Sequence, residues 1–420
     1  MSRSDPLLRR SAATQGKPAI AAKGPKEGLP SQARSAKEGE FARRLLAWHR
    51  THGRRGLPWH GERDPYRVWI SEIMLQQTQV ATALPYFERF IRRFPDVHSL
   101  ARAPIGDVMA AWAGLGYYAR ARNLYACART VVARHAGRFP ATAAALAALP
   151  GIGRSTAGAI AAFCFDERAP VLDGNVKRVM ARHWAIEGDP RSTPTVARLW
   201  QRAQLELPAE RNVARYTQAI MDLGATVCTR LEPACGRCPV SAGCEARKTG
   251  RVGQLPLSRP RRARPVRRAF VLAALDGVRV LLQRRRGSGI WGGLMCLPEF
   301  ASKASLVRSV RRLDARAPLV PLRPRRHVLT HLTLQIEPYL TVAAAGVRHP
   351  DAAASWVALD RIDRAGLPAP YRALLLEVRQ QLRAKPSRPA QAGQRRFSAV
   401  SPSRKSRGVR RAPARDPRSP

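Results

Sequence analysis

The stretch Leu149-Pro150-Gly151-Ile152-Gly153, followed by Arg154-Ser155-Thr156-Ala157-Gly158, reads as helix, tight turn, helix. An alanine-rich helix (Ala141 to Leu149) is expected to stop at Pro150, with Gly151 and Gly153 supplying the positive-φ turn. A second helix then starts near Arg154 and runs through Ala157, Ile160 and Ala161. Such a turn aims bare backbone N–H groups and a helix N-terminus outward, which suits a phosphate. An ordinary helix–helix connection has the same local pattern, so the rest of the chain has to decide. Val171-Leu172-Asp173-Gly174-Asn175 comes next and sets an acid at the head of a further helix, Asn175–Trp184.

The 420 residues carry 74 Lys and Arg against 29 Asp and Glu, a formal charge of +45 that calls for a polyanionic partner. Nucleic acid and an anionic membrane surface both satisfy that. No run of about 18 apolar residues is present, so no membrane span is expected. No secretory signal is expected either, because no apolar core follows the basic N-terminal residues. Seven cysteines, four of them clustered, suit a reducing cytoplasm and a metal site better than a disulfide framework. Much of the charge sits in tails: residues 384–420 hold eleven Lys and Arg and one acid, with little apolar content. Segments 1–36 and 383–420 are therefore expected to be disordered basic tails.

Between the tails the chain divides in two. From Glu40 a helical pattern begins (Phe41, Leu45, Leu46, Trp48) and breaks at Gly53-Arg54-Arg55-Gly56. One helix is expected from Val68 to Ala83, then shorter ones at Phe87–Phe94, Ser99–Ala103, Ile105–Ala113 and Arg120–Arg134. Residues 37–249 thus read as an all-α domain. A proline- and arginine-rich linker, 250–266, follows. Residues 267–382 read as α+β, with a hairpin around Asp276-Gly277, strands at His327–Gln335, Glu337–Val342 and Ser355–Val357, and helices at Ser305–Leu313 and Tyr371–Leu382.

Two groups of side chains carry chemistry. Cys228, Cys235, Cys238 and Cys244 form a C-x6-C-x2-C-x5-C pattern in the loop 228–244, with Arg230 and Arg237 inside it. Four thiolates so close in sequence can close around one metal centre. The spacing fits a four-cysteine iron–sulfur cluster better than the paired knuckles of a zinc ribbon, with structural zinc the alternative. Cys127, Cys164 and Cys296 stand in apolar contexts and read as core fillers. The second group is Trp69-Ile70-Ser71-Glu72-Ile73-Met74-Leu75-Gln76-Gln77-Thr78-Gln79-Val80, where apolar neighbours can raise the Glu72 pKa into general-acid range. Asp173, at a helix N-terminus, is expected to favour its ionised form, and a plain N-cap is the simpler reading of it. Tyr117 follows the glycine-rich turn Gly114-Leu115-Gly116, and Arg120 and Arg122 flank it as expected DNA contacts.

Taken in order, these motifs resemble the helix-hairpin-helix glycosylases of the endonuclease III superfamily. Ser71 to Val80 is nearly the MutY-type adenine glycosylase motif, and the likeness spans about residues 38–380. It implies a monomeric enzyme acting on double-stranded DNA with 8-oxoguanine:adenine or guanine:adenine mispairs. Glu72 would protonate N7 of adenine, Asp173 would meet the positive sugar, and Asn175 would orient the pair. Ser155 stands where strand-cutting relatives keep a Schiff-base lysine, which implies a glycosylase that leaves an abasic site. Gly151, Gly153 and Arg154 would hold the DNA backbone, together with Gln76. Tyr117 would insert between bases and Gln77 would fill the gap opposite. Trp59 and His60 would line the adenine pocket. The four cysteines would hold a [4Fe–4S] cluster.

The second half resembles a Nudix-type fold at Leu281-Leu282-Gln283-Arg284-Arg285 and Ser288 to Leu294. Ser302 to Leu313 offers three arginines, a lysine and no carboxylate for Mg²⁺, so no pyrophosphatase is expected. The resemblance implies a lesion sensor, with Leu329-Thr330-His331 in the place of the sensing loop and Thr330 and His331 as its contacts. Two other readings carry weight here: an endonuclease III-like glycosylase with lyase activity, and a catalytically silent iron–sulfur DNA-binding protein.

Overall fold

The computed structural model describes residues 31–208, 212–257, 263–287, 289–344 and 353–384. Most of the two expected tails, and Ser288, lie outside them. The first half is helical: α1 (Ser31–His52), α2 (Pro65–Leu75), α3 (Val80–Arg93), α4 (Val97–Arg102), α5 (Ile105–Trp112), α6 (Ala119–His135) and α7 (Ala143–Ala147). Then come α8 (Arg154–Phe165), α9 (Gly174–His183), α10 (Thr193–Leu205), α11 (Val213–Thr226) and α12 (Glu245–Lys248). No strand precedes Val266 among the described residues. None of their helices is long and apolar enough to cross a membrane.

Local chemistry explains the boundaries. Asp64 caps α2 by accepting from the Tyr66 N–H, and Pro65 fills the first position, where its missing N–H costs nothing. Asp96 and Ser99 form a reciprocal capping box on α4. Three boundaries depart from expectation. Helix α1 begins at Ser31, ahead of Glu40 and inside the segment expected as tail. The Val68–Ala83 helix is two helices, broken at Gln77, whose φ is 58°. No glycine or proline marks that break. The Arg120 guanidinium takes the carbonyls of Ile73, Met74 and Gln76, which a continuing helix would need for its own ladder. Finally, Gly151 has the expected positive φ (77°), but Gly153 does not. Gly153 is the N-cap of α8, at φ −82° and ψ 164°, the extended backbone that caps adopt.

The second half holds β1 (Val266–Asp276), β2 (Arg279–Arg284), β3 (Met295–Cys296), β4 (Glu299–Phe300), α13 (Lys303–Leu313), β5 (Val320–Pro321), β6 (Arg325–Val328), β7 (Thr333–Val342), β8 (Ala354–Ala358) and α14 (Ala369–Ala384). One mixed sheet runs β3-β2-β1-β7-β5, with β4 on β1, β6 on β7 and β8 on β2. The expected hairpin closes with Asp276 opposite Arg279 and Gly277 at φ 59°. Strands β1 and β7 run parallel, a pairing that requires both faces to be covered. Alternate β1 residues do this: Leu272 and Ala274 meet Leu306 and Val310 of α13, while Ala269, Val271, Ala273 and Leu275 join the other core.

That other core is shared by the two halves. Met109 and Trp112 of α5 belong to the same buried cluster as Trp291, Leu294 and Tyr371. Arg122, expected to face DNA, instead donates to the Gly292 carbonyl at 2.7 Å across the junction. The strand expected over His327–Gln335 is a hairpin: Val328 pairs with Thr333, and the Leu329 N–H donates to Leu332 at 2.8 Å. Thr330 and His331 therefore sit at an exposed turn rather than alternating along a strand.

Candidate active site and DNA-facing loops

Three helix ends converge on two carboxylates. Gln76, at the end of α2, donates to Thr156 Oγ1 of α8 at 3.2 Å, so this residue is turned inward to brace the two helices. Ser155, also on α8, accepts the Leu172 N–H at 2.9 Å and steadies the segment that delivers Asp173. Asp173 caps α9 by accepting from the Val176 N–H at 2.7 Å.

Burial, and after it the nearby Asp173 charge, raise the Glu72 carboxyl to about 7. The two neighbouring acids thus have unlike surroundings: backbone donors and arginine charges oppose burial at Asp173, and no such donors oppose it at Glu72. Asp173 itself departs from expectation. Burial raises it above the ordinary aspartate range, against the backbone donors of Val176 and Asn175 and the charges of Arg178 and Arg54. Loss of water outweighs the helix terminus, which the sequence could not reveal. Asn175 does not bridge the carboxylates: its Oδ1 accepts from Arg178 Nη2 at 2.8 Å.

Arg178 and Arg182, one turn apart on α9, were not singled out from the sequence, though their spacing marks one helix face. Arg178 also donates to the carbonyls of Gly224 (2.7 Å) and Cys228 (2.7 Å). Arg182 reaches the carbonyls of Leu255, Thr229 and Arg230 at 2.9, 2.6 and 3.1 Å, and lies 3.4 Å from Cys228 Sγ. The helix that Asp173 caps therefore also holds the cysteine loop.

Cys228, Cys235, Cys238 and Cys244 line one small cavity with Val227, Pro233 and Val252, while Arg230 and Arg237 stay exposed. Burial raises the Cys238 thiol to about 11, opposed by a backbone bond at Val240 and reinforced by Cys228, Cys244 and Cys235. A single tetrahedral ion would need sulfurs roughly 3.8 Å apart, given metal–sulfur bonds of about 2.3 Å. Among the described residues no three His, Cys, Asp or Glu stand close enough to hold one ion. The four thiols nonetheless line one cavity, and four thiolates are the donor set of both a structural zinc and a four-cysteine iron–sulfur centre.

A second network escaped the sequence reading. Asp222, on α11 within Ile220-Met221-Asp222-Leu223, is fully buried and binds Arg54 N (2.9 Å), Arg54 Nε (2.8 Å) and Gln218 Nε2 (2.8 Å), with His49 Nε2 at 3.3 Å. Burial works against its charge, but bonds from His49, Arg54 and Gln218 and the Arg54 charge hold it near 2. An acid amid apolar helix residues was the available signal. His60 adjoins this network, and burial lowers its pKa. Its ring Nε2 is buried without a hydrogen-bond partner, and the neighbouring Trp59 ring packs edge-on against Phe87 at 5.2 Å.

The outward loops are better exposed. Gln77 is exposed at φ 58°, and Tyr117 is 42% exposed at φ 49°. The Tyr117 hydroxyl is hydrogen-bonded to Thr330 Oγ1 at 3.0 Å, which joins the first half's glycine-rich loop to the second half's hairpin. His331 is exposed beside it. Gly151 is exposed at the α7–α8 turn with φ 77°, and a Cβ there would meet the Asn123 side chain at 2.5 Å, so glycine is required on both counts. Exposed Arg154 stacks over Trp200 at 4.0 Å. Arg120 is turned inward, as described above.

Residues 70–204 match the model of the HhH-GPD superfamily base excision DNA repair proteins, and 269–377 match the NUDIX domain. The adenine DNA glycosylase of Buchnera aphidicola subsp. Baizongia pistaciae is 32% identical over 343 residues, spanning 81% of this chain and 97% of that one. The adenine DNA glycosylase of Rattus norvegicus is 36% identical over 361 residues, covering 71% and 70% of the two chains. Among solved structures, a thermostable thymine-DNA glycosylase is 26% identical with a TM-score of 0.47, over 52% of this chain and all of that one. A helical HhH-GPD half, a Nudix-like half and near-complete coverage of a relative place the chain in the adenine DNA glycosylase family.

Proposed function

We propose that this glycosylase removes adenine paired with 8-oxoguanine, or with guanine, and leaves an abasic site with the strand intact. Glu72, held protonated near neutrality, gives its proton to N7 of the extruded adenine and makes it a competent leaving group. Asp173 faces the positive charge that grows on the sugar as the C1′–N9 bond breaks; water then adds to C1′, and the proton it loses passes to the carboxylate pair, which restores the acid. Trp59 and His60 wall the base. Gly151, Gly153 and Arg154 meet the phosphate backbone. Ser155 has no amine to trap the sugar, so the reaction stops at base release.

The single observation that carries the choice of mispair is the Tyr117–Thr330 bond. A side chain suited to entering the stack and a hydroxyl suited to the opposite base meet at one point. Guanine and 8-oxoguanine differ at N7 and O8, so a hydroxyl and an imidazole at that edge can tell them apart. The test is single-turnover excision from duplexes with adenine opposite 8-oxoguanine and opposite guanine. Thr330→Ala with His331→Ala should cut the ratio of the two rates by about tenfold, the worth of roughly one lost hydrogen bond. An unchanged ratio would remove the hairpin from lesion reading. Strand cleavage, or a borohydride-trapped adduct formed at the rate of turnover, would overturn the base-release assignment.

Cys228, Cys235, Cys238 and Cys244 would hold a [4Fe–4S] cluster, whose contribution is to cross-link their loop. Four thiolates on one cavity repel each other, and a cationic iron core relieves that. The loop's exposed Arg230 and Arg237 then face DNA from a fixed frame. Cys238→Ser should lose iron and sulfide and bind duplex about tenfold more weakly, about 1.4 kcal/mol. Wild-type protein that binds zinc and no iron would refute the cluster.

A further inference from the structure

We infer that Arg120 is a positioning residue that locks Gln77 and Tyr117 into one two-pronged wedge for opening the duplex. The inference rests on the reading of those two side chains as the groups that enter DNA. Both are non-glycine residues with left-handed backbones, at φ 58° and 49°. That conformation costs about 1–2 kcal/mol at each and persists only where the surroundings enforce it.

Arg120 is what enforces it. Its Nη1 donates to the carbonyls of Ile73, Met74 and Gln76 at 2.8, 2.9 and 2.6 Å. Its Nη2 donates to Thr78 Oγ1 at 3.1 Å and to the Gly116 carbonyl at 3.3 Å. These bonds bracket Gln77 on both sides and end on the residue before Tyr117. The guanidinium also lies 5.4 Å from the Tyr117 ring and 5.4 Å from the Trp112 ring.

Its setting is unusual for an arginine. It stands in the first turn of α6, the end of a helix that disfavours a cation, and no carboxylate pairs with it among the described residues. The C-terminal carbonyls of α2 supply the compensating negative end. Burial lowers its pKa to about 10, so it stays charged at neutrality. The planar fork is needed to span two loops at once, and a lysine ammonium cannot do so.

The test uses the full-length enzyme with Glu72→Gln, which holds substrate without turnover, and a duplex carrying 2-aminopurine beside the mispaired adenine. Unstacking by the wedge raises its fluorescence. Arg120→Met and Arg120→Lys should both abolish the rise, and each alone in the active enzyme should slow single-turnover excision on the order of a hundredfold. Affinity for a duplex with a stable abasic-site analogue, which has no base to extrude, should stay within about threefold. Gln77→Ala and Tyr117→Ala should also abolish the rise; if both keep it, the wedge reading itself fails. If they abolish it and Arg120→Met does not, Arg120 has no part in it. An equal loss of abasic-duplex binding or of melting temperature in the Arg120 variants would mean a general structural role and overturn the inference. So would a full fluorescence rise with Arg120→Lys.

Discussion

Glu72→Gln should yield a folded protein that binds mispaired duplex normally and releases adenine at least about a thousandfold more slowly, a loss near the general-acid contribution. Glutamine keeps the shape and removes the transferable proton. In the wild type the acid is competent only while protonated, so excision should decline as pH rises through about 7. The same shift has a stability consequence of definite sign. Folding raises the Glu72 pKa from 4.5 to about 7, so the folded state holds its proton more tightly than the unfolded chain. Stability is therefore lost as pH climbs from the ordinary glutamate range through 7, by a few kcal/mol, with the full loss present above it. Glutamine has no charge to bury, so at pH 8 Glu72→Gln should melt no lower than wild type. A lower melting point there, or undiminished excision, would remove Glu72 from the acid role.

Asp173→Asn should be nearly as damaging, about a hundredfold to a thousandfold, the scale of one lost electrostatic contact at a developing charge. Asparagine caps a helix about as well as aspartate, so α9 stays capped and the defect separates charge from structure. A second readout follows from the coupling of the two acids. The Asp173 charge helps raise Glu72, so its removal should move the alkaline limb of the residual activity to lower pH. A limb that stays in place would mean the carboxylates do not interact in the working enzyme.

Much of the scaffold could be read from local residue types. Pro150, Gly151 and the cap at Asp173 announce their own turn and helix starts, because the relevant bonds span a few residues. The four-cysteine spacing is equally local. Glu72 stood out through its apolar neighbours, and burial does raise it. What failed was long-range. The break at Gln77 has no turn residue and exists because Arg120 claims the preceding carbonyls. The turn at Leu329–Leu332 likewise lacks Gly, Pro, Asn and Asp, and is imposed by the β6–β7 pairing. Arg120 and Arg122 are chemically indistinguishable from DNA-facing arginines until their carbonyl partners are known. Asp222 and Arg54 lie far apart in sequence, and only folding makes them a pair.

The hydroxyl of Ser155 does more than decline to be an amine. Because it receives the Leu172 N–H, it serves as a strut on the residue immediately before Asp173. A lysine at this position would bring a nucleophilic nitrogen and lose that strut in the same step. On the base-release reading proposed above, reactivity and alignment thus compete at a single atom, Ser155 Oγ.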